Sequence, residues 1–313
     1  MQNKIVVLGT GGTIAGTSAV ASDNVGYTAA QIGVAQLVQA VPALAAVPLE
    51  CEQVAQIDSK DMGFAVWRTL ALRAAHHLAR DVVAGLVVTH GTDTLEETAY
   101  FLQRVLAPGK PVVMTAAMRP ATSLQADGPQ NLLDAVRVAG YAGAYGVVAV
   151  LNGQMHSAHD VRKTHTYRLD AFSSGDPGPL GVLEEDRLRR FRPWPQGIAI
   201  GAERLPADVS TWPRVEIVTS HAGASGAVVR ALCAGGAQGL VVAATGNGTL
   251  HHEVEAALRE AQAQGVRVLR SSRCLNGRVL AQADDVLPSA DDLTPVKARV
   301  ELMLGMMSLL KAT

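Results

Sequence analysis

Two short segments each place a threonine hydroxyl just after glycines and a run of apolar residues. Residues 9–13 (GTGGT) end at Thr13, and residues 89–93 (THGTD) contain Thr92. A threonine hydroxyl is a weak nucleophile at neutral pH and needs a base within hydrogen-bond reach. Because glycine lets backbone N–H groups approach a ligand, both segments predict nucleophilic chemistry on a small molecule.

Three other side chains have the chemistry that such hydroxyls need. Tyr27 ends the small, polar, glycine-flanked stretch 16–26, which is typical of a mobile loop that carries a side chain over a site. Lys163 could accept a proton from a hydroxyl, because a lysine desolvated beside a carboxylate can be neutral. Asp93 adds a carboxylate next to the second hydroxyl.

Each of these residues alone also has an ordinary structural explanation. Thr13 fits a helix N-cap or a turn hydroxyl. Asp93 and Glu96 have the spacing of a capping box that begins a helix, which would make Thr92 structural as well. Tyr27 and Lys163 could be surface side chains. For each residue taken alone, both the catalytic and the structural explanation remain open.

Patterns for cofactors and metals fail on spacing. In the glycine-rich segment 9–16, Ile14 occupies the position of the third glycine of a dinucleotide-binding G-x-G-x-x-G. A phosphate-binding Walker loop is excluded because no Gly-Lys-Ser/Thr follows. His156, His159 and His165 lack the i,i+4 pairing and the matching carboxylate of a zinc site. We therefore expect neither a metal nor an organic cofactor.

Serine and cysteine chemistry is not indicated either. Residues 223–226 (GASG) lack the glycine at 227 that a nucleophile elbow requires. Cys51, Cys233 and Cys274 are an odd number without a Cys-x-x-Cys pair, which excludes a disulfide framework and a cysteine zinc site. We predict that they are small buried hydrophobic residues in a reducing compartment.

The elements that position these residues alternate between apolar strands and amphipathic helices. Runs rich in β-branched residues predict strands at 5–8, 86–88, 112–114, 147–150, 215–218, 240–243 and 266–269. Apolar residues at helical spacing predict helices at 67–78, 95–106 and 254–263. This alternation is typical of parallel sheets covered on both faces, and ligands of such sheets bind beyond the carboxyl ends of the strands.

Length and composition favour two α/β domains and a small-molecule partner. At 313 residues the chain exceeds the ~250–300 residues at which a single core stops growing. The charged and proline-bearing interval 187–213 is a poor candidate for regular structure. We therefore expect an N-terminal domain at 1–190, a linker at 191–213 and a C-terminal domain at 214–313. The larger N-terminal domain should have a flavodoxin- or Rossmann-like, mainly parallel sheet, and the smaller C-terminal domain a parallel sheet.

Charge and hydropathy exclude several classes of partner. A net charge of −1 argues against nucleic acid or anionic lipid, since either would call for a basic excess. No apolar run approaches the ~18 residues of a membrane-spanning helix, and the first residues do not form a signal peptide. We expect a cytoplasmic protein with a small-molecule substrate.

Taken together, the motifs resemble those of one family, the bacterial-type L-asparaginases, which include the glutaminase-asparaginases. They extend over nearly the whole chain, at residues 9–16, 26–28, 58–62, 89–99, 117–120, 126–129, 131–132, 163–164, 179–181, 246–248 and 271–273. Both threonine motifs are specific to this family. The resemblance implies hydrolysis of the side-chain amide of asparagine to aspartate and ammonia, without a cofactor.

The resemblance also implies roles for individual residues. Thr13 would be the nucleophile, Tyr27 would hold or deprotonate it, and Thr92, Lys163 and Asp93 would form a second relay. The implied substrate-binding residues are Gly12, Asp58, Ser59, Gly91, Thr92, Asp93, Ala117, Thr249 and Asp284. Of these, Ser59 and Asp93 would hold the α-carboxylate and the α-ammonium. By analogy with the family, we expect a homotetramer built from two intimate dimers.

The sequence departs from the family pattern at three places. Lys60 stands where the family often has Gln, and Thr249 replaces the second Asn of Gly-Asn-Gly-Asn. The acid that a neighbouring subunit contributes, usually Glu, corresponds to Asp284 or Asp285. The smaller side chains would enlarge the pocket, and one methylene shifts discrimination by only ~1–3 kcal/mol, so we expect minor glutaminase activity. A non-catalytic amino-acid sensor is the competing hypothesis, favoured only if the reactive side chains were missing.

Overall fold

The computed structural model describes residues 3–280, 282–283 and 285–309. The chain divides into two compact units, Met1–Arg204 and Leu205–Thr313. Both units combine a parallel or mainly parallel sheet with helices, as an α/β fold requires. Within the described residues, no helix combines the length and the apolar character that crossing a lipid bilayer demands.

The N-terminal unit is built on a sheet of eight strands with a separate two-stranded ribbon. Its strands are β1 (Lys4–Gly11), β2 (Leu49–Ile57), β3 (Val83–Thr89), β4 (Pro111–Thr115), β5 (Gly146–Leu151), β6 (Gln154–Ser157), β7 (Arg162–Lys163), β8 (Phe172–Ser173), β9 (Gly181–Glu184) and β10 (Arg187–Arg190). Its helices are α1 (Val34–Gln39), α2 (Phe64–Leu78), α3 (Leu95–Leu106) and α4 (Gly128–Ala139). The ribbon consists of β7 and β8.

The order of the strands is that of a doubly wound, flavodoxin-like sheet. From one edge it runs β2-β1-β3-β4-β5-β6-β9-β10. The first five strands are parallel, in the 2-1-3-4-5 order of flavodoxin-like folds. The last three extend the sheet by antiparallel pairing. The predicted fold class is confirmed.

Helix packing fixes the loops at the carboxyl edge of this sheet. β4 and β5 are buried at every residue, as expected for strands covered on both faces. Trp67 of α2 stacks on Phe101 of α3 with ring centroids 4.8 Å apart, and its indole N–H donates to the Thr98 hydroxyl at 2.8 Å. Because α3 is held in this way, the loop 90–94 that precedes it has a defined position.

The C-terminal unit is a smaller parallel sheet with its own core. Its strands β11 (Val215–Thr219), β12 (Gly239–Ala244) and β13 (Arg267–Ser272) lie in the order β11-β12-β13. Its helices are α5 (Ala227–Ala234), α6 (His252–Ala263) and α7 (Pro295–Leu309). Apolar residues of α5, α6 and all three strands form one buried cluster.

Six of the described strands, β2 and β6 to β10, lie where no strand was predicted from the sequence. Two of them, β10 and β2, form the edges of the sheet. β10 falls inside the interval 187–213 that was judged unsuited to regular structure, and it pairs only with β9 at one edge of the sheet. β2 forms the opposite edge, and its Glu50 and Glu52 pair with Arg80 and Arg73. Edge strands tolerate charged side chains because water reaches them, so neither strand has the apolar run used to find the others.

The prediction for the cysteines is wrong. Cys51 and Cys274 are exposed, and Cys233 is half-buried. Cys51 lies on the edge strand β2, where water reaches side chains that the centre of the sheet would cover. Whether a small apolar residue is buried therefore depends on its position in the sheet as well as on its residue type.

Candidate active site

Four neighbouring parallel strands end at one edge of the N-terminal sheet, and the loops after them carry most of the predicted site. β2 leads to Ser59, β1 to Thr13, β3 to Thr92 and β4 to Ala117. The winding of the chain reverses between β1 and β3, the switch point where open α/β sheets bind ligands. Thr13 and Thr92 therefore follow the two strands that border this crevice.

Gly12 and Gly91 bring three of these loops into direct contact. Gly12 has a φ of 81°, a left-handed value that favours glycine. A Cβ atom on Gly12 would overlap the backbone of Gly91, and one on Gly91 would lie only 2.7 Å from the Cβ of Ser59. The N–H of Gly12 also donates to the Ile57 carbonyl at 2.9 Å. A side chain at either glycine would push the loops apart.

Thr13 is paired with Tyr27. The Thr13 Oγ1 and the Tyr27 hydroxyl oxygen are 2.7 Å apart, and either can donate. Thr13 is buried, and it begins a short 3₁₀ turn whose N-cap is Gly12, so it is not an N-cap itself. Tyr27 is held by backbone bonds in both directions between Thr17 and Thr28, each 2.9 Å long. The stretch before Tyr27 thus delivers its phenol to the first hydroxyl.

Thr92, Lys163 and Asp93 form a second contact set. Lys163 Nζ donates to Thr92 Oγ1 at 2.8 Å and to Asp93 Oδ1 at 2.7 Å. The side chain of Lys163 is 19% exposed and that of Asp93 is 52% exposed. The capping-box explanation of Asp93 is wrong, because Thr94 is the N-cap of α3 and its hydroxyl donates to the Ser59 carbonyl at 2.8 Å. Asp93 is free to face the lysine.

Two side chains outside the predicted site hold the Lys163 ribbon. Glu96 Oε1 accepts from the Lys163 backbone N–H at 3.1 Å. Arg119 is buried, donates to the Tyr167 carbonyl at 2.8 Å and lies 4.1 Å above the Tyr167 ring. From the sequence, Glu96 is expected only as a capping residue and Arg119 has no predicted role. The two contacts join residues that are 67 and 48 positions apart, so no short sequence motif indicates them.

Ser59 and Asp58 lie at the end of β2. Ser59 is buried, and its hydroxyl accepts from the Asp93 backbone N–H at 3.2 Å. Asp58 caps a short 3₁₀ turn by accepting from the Lys60 backbone N–H at 3.4 Å. The Lys60 ammonium donates to Asp58 and Asp61, each at 3.1 Å. The ammonium of Lys60, the residue that departs from the family pattern, therefore binds two carboxylates close to it in the sequence.

The loop after β4, which contains Ala117, is held by one half-buried carboxylate. Asp127 accepts from the Met118 N–H at 3.0 Å and the Arg119 N–H at 2.9 Å. Burial raises the pKa of Asp127, and these two N–H groups oppose that shift. Asn131 donates to Asp127 at 3.1 Å and to the Ala116 carbonyl at 2.9 Å. The Asn131 amide therefore ties the Ala116 carbonyl to the same carboxylate.

The three histidines considered for zinc have separate partners. His156 pairs with the Ser174 hydroxyl at 2.8 Å, and the Nδ1 of His165 accepts from two backbone N–H groups. The ring of His159 lies 6.0 Å from that of Tyr100. Across residues 3–280, 282–283 and 285–309, no group of three or more His, Cys, Asp or Glu side chains could hold a metal ion.

Family comparison agrees with this geometry over both units. The family model described as "Asparaginase, N-terminal" matches residues 4–196, and "Glutaminase/Asparaginase C-terminal domain" matches residues 214–310. The chain belongs to the asparaginase family. The resemblance inferred from the sequence motifs is therefore confirmed.

Individual asparaginase relatives match along nearly the full chain. L-asparaginase 2 of Escherichia coli (strain K12) is 40% identical over 96% of this chain and 88% of its own length. Glutaminase-asparaginase of Pseudomonas fluorescens biotype A is 39% identical over 96% and 86%. The crystal structure of a probable cytoplasmic L-asparaginase from Campylobacter jejuni has a TM-score of 0.89 at 38% identity, covering 97% of this chain and 95% of that one.

In this asparaginase chain the remaining predicted site residues belong to the C-terminal unit. Thr249 and Asp285 line a cavity of about 410 Å³ within that unit. The Thr249 hydroxyl pairs with that of Thr245 at 2.8 Å. Asp285 is bound by Arg270, which lowers the pKa of its carboxyl, and accepts from the Gln282 N–H at 2.8 Å. Asp284 lies outside the described residues.

Proposed function

We propose that the chain is an amidohydrolase that converts L-asparagine to L-aspartate and ammonia through an ester on Thr13. The observation that carries this proposal is the pairing of two threonine hydroxyls with separate hydrogen-bonding partners, Tyr27 and Lys163, at one switch point. A nucleophile needs a proton partner within hydrogen-bond reach, and Tyr27 has that place beside Thr13. Asp93 orients Lys163 beside the second hydroxyl, that of Thr92. Relatives named L-asparaginase and glutaminase-asparaginase support the choice of substrate.

In the first half of the reaction, the Thr13 oxygen attacks the amide carbon of the substrate. The hydroxyl proton passes through Tyr27 to the amide nitrogen, the C–N bond breaks and ammonia leaves. In the second half, water attacks the ester carbon, its proton returns to the Thr13 oxygen and aspartate is released. We assign proton transfer in this second half to the Lys163, Thr92 and Asp93 set, whose members are in hydrogen-bond contact.

The substrate's own charges supply the binding partners. Asp93 is half-exposed at the crevice, so its free oxygen can pair with the α-ammonium. The Ser59 hydroxyl can donate to the α-carboxylate while it accepts from the Asp93 N–H. Gly12, Gly91, Ala117 and Asp58 complete the proposed pocket, because their loops converge at the same sheet edge.

The assembly and the cellular location extend the proposal. By family analogy we propose a homotetramer of two intimate dimers, in which a partner subunit supplies the second carboxylate. Asp284 is the candidate for that carboxylate, since Arg270 and the Gln282 N–H already bind Asp285. The cytoplasm is the proposed location, supported by a solved relative described as probably cytoplasmic and by three free cysteines.

Ammonia release by the purified chain tests the proposed function. We expect turnover with L-asparagine, and slower turnover with L-glutamine because Thr249 is smaller than the family's Asn. D-asparagine serves as the stereochemical comparison, and native mass spectrometry reports the oligomer. Calorimetric binding of L-asparagine without ammonia release would contradict the proposal and favour an amino-acid sensor.

A further inference from the structure

His90 is a buried histidine that the reaction above does not use. It lies between β3 and Thr92, and none of its surface is exposed. Its backbone N–H donates to the Thr115 carbonyl at 2.9 Å, which ties the loop to the end of β4. Its Nδ1 lies 2.7 Å from the carbonyl oxygen of Gly91, the residue just before Thr92.

The contacts of the ring fix its tautomer. A carbonyl oxygen only accepts, so Nδ1 must carry the proton and Nε2 must be the bare nitrogen. Within the described residues, Nε2 is buried without a hydrogen-bond partner. Burial also lowers the pKa of His90 to about 4, so the ring is neutral near pH 7. His90 is thus a neutral donor aimed at one carbonyl.

The bonded carbonyl belongs to the peptide group that also carries the Thr92 N–H. Described peptide bonds are trans, so this N–H points away from the carbonyl oxygen and from the His90 ring. The Thr92 N–H donates to no acceptor in the described part of the chain. Gly91 leaves the orientation of this peptide weakly restrained, because glycine has wide conformational freedom.

We propose that His90 is a positioning residue: its bond to the Gly91 carbonyl turns the Thr92 N–H toward the substrate as an oxyanion donor. This inference rests on the proposed function, because an oxyanion forms only if Thr13 attacks an amide. Donors aimed at a developing oxyanion act mainly in the transition state. Losing the His90 bond should therefore lower kcat and leave KM nearly unchanged.

A matched pair of substitutions separates the bond from the packing. Asparagine and leucine have the same branched shape, but only the asparagine amide offers an N–H near the position of Nδ1. We expect His90→Asn to keep kcat within about threefold, and His90→Leu to lower it about 10- to 100-fold with KM changed less than about threefold. His90→Gln places its amide farther out and should behave like His90→Leu.

His221 provides the control, because its Nδ1 makes the same type of bond to the following carbonyl, at 2.9 Å, on the exposed surface of the C-terminal unit. His221→Leu should keep wild-type kcat, and thermal unfolding should show all variants folded. Unchanged kcat in both His90→Leu and His90→Gln would overturn the inference, as would equal losses in His90→Asn and His90→Leu. An inactive wild-type chain would instead contradict the proposed function itself.

Discussion

Lys163 and Asp93 share one ion pair, yet their removal should affect different kinetic constants. Lys163 contacts the Thr92 hydroxyl, so Lys163→Met breaks the second proton relay and should lower kcat about 10²- to 10⁴-fold. Asp93 both orients Lys163 and faces the proposed site of the α-ammonium, so Asp93→Ala should lower kcat and also raise KM. Steady-state ammonia release over a range of L-asparagine concentrations measures both constants.

The control for this pair is Lys4→Met, which removes an exposed lysine at the start of β1. Its kcat and KM should equal those of the wild type. If Asp93→Ala changed kcat alone, Asp93 would not bind the ammonium, and that part of the proposed pocket would be withdrawn.

At the scale of single residues, residue types and spacing indicated the candidate groups, whereas their pairing was implied only by the family resemblance. Thr13 and Thr92 were found because each follows a strand and a glycine turn. The bond from Tyr27 to Thr13 spans a loop, and the bond from Lys163 to Thr92 spans 71 residues. Such pairs are created by the order of the strands in the sheet, which residue types alone do not encode.

At the scale of elements, the loop after β4 connects the two halves of the site. On one side Arg119 holds Tyr167, four residues beyond Lys163. On the other side the Ala121 N–H donates to the Gly16 carbonyl at 2.9 Å, at the start of the stretch that carries Tyr27. Arg119→Met should let the Lys163 ribbon shift and lower kcat about 10- to 100-fold, since small misplacements of reacting groups are costly.

Arg168→Met is the matched control for the Arg119 substitution. Arg168 lies in the same ribbon loop, but its side chain is 61% exposed and pairs with Asp170, which is 53% exposed. Its kcat should be unchanged. Comparison of kcat for both variants, with thermal unfolding to confirm folding, decides the question. Wild-type kcat in folded Arg119→Met would show that the loop does not position the lysine.

The elements themselves differed in how well the sequence predicted them. α3 begins and ends at the predicted residues, 95 and 106, because its apolar face packs against the sheet at every turn. β2 and β10 were missed because both are edge strands whose charged residues face water. The predicted helix at 67–78 begins three residues earlier, at Phe64, where the N-cap is Gly63 rather than a polar residue.

At the scale of the whole molecule, His90 should make stability depend on pH. Its pKa is about 4 when folded against about 6.5 when unfolded, so between these values the unfolded chain binds more protons. The free energy of unfolding should therefore fall as pH drops from about 6.5 to 4, by roughly 3 kcal/mol, and level off below. The pKa of Glu52 is lowered to about 2, chiefly by Arg73, so Glu52 adds a further loss of stability only as the pH falls toward that value.

Denaturant unfolding at several pH values measures this dependence. The difference in the free energy of unfolding between pH 7 and pH 4.5 should be smaller for His90→Leu than for the wild type. His76→Leu, at an exposed position on α2, should retain the wild-type dependence. Equal pH dependence of the wild type and His90→Leu would show that His90 is not held neutral by the fold.

The organisation into two units follows from a pattern that occurs twice along the sequence. Strand and helix alternate in two series because each unit must cover both faces of its own sheet. The chain divides between Arg204 and Leu205, within the proline-bearing interval 191–213. Yet Trp194 and Trp212 of that interval are buried, which composition did not indicate.

The central claim is that the Thr13 hydroxyl attacks the amide, and the kcat of two substitutions at this position tests it most directly. Thr13→Ser keeps a hydroxyl beside Tyr27 and should retain turnover within about 10²-fold, whereas Thr13→Ala should lower it at least ~10³-fold, as should Thr92→Ala. The expected result is ammonia release from L-asparagine by the wild type and Thr13→Ser, and almost none by folded Thr13→Ala. Near-wild-type ammonia release by folded Thr13→Ala would contradict the account.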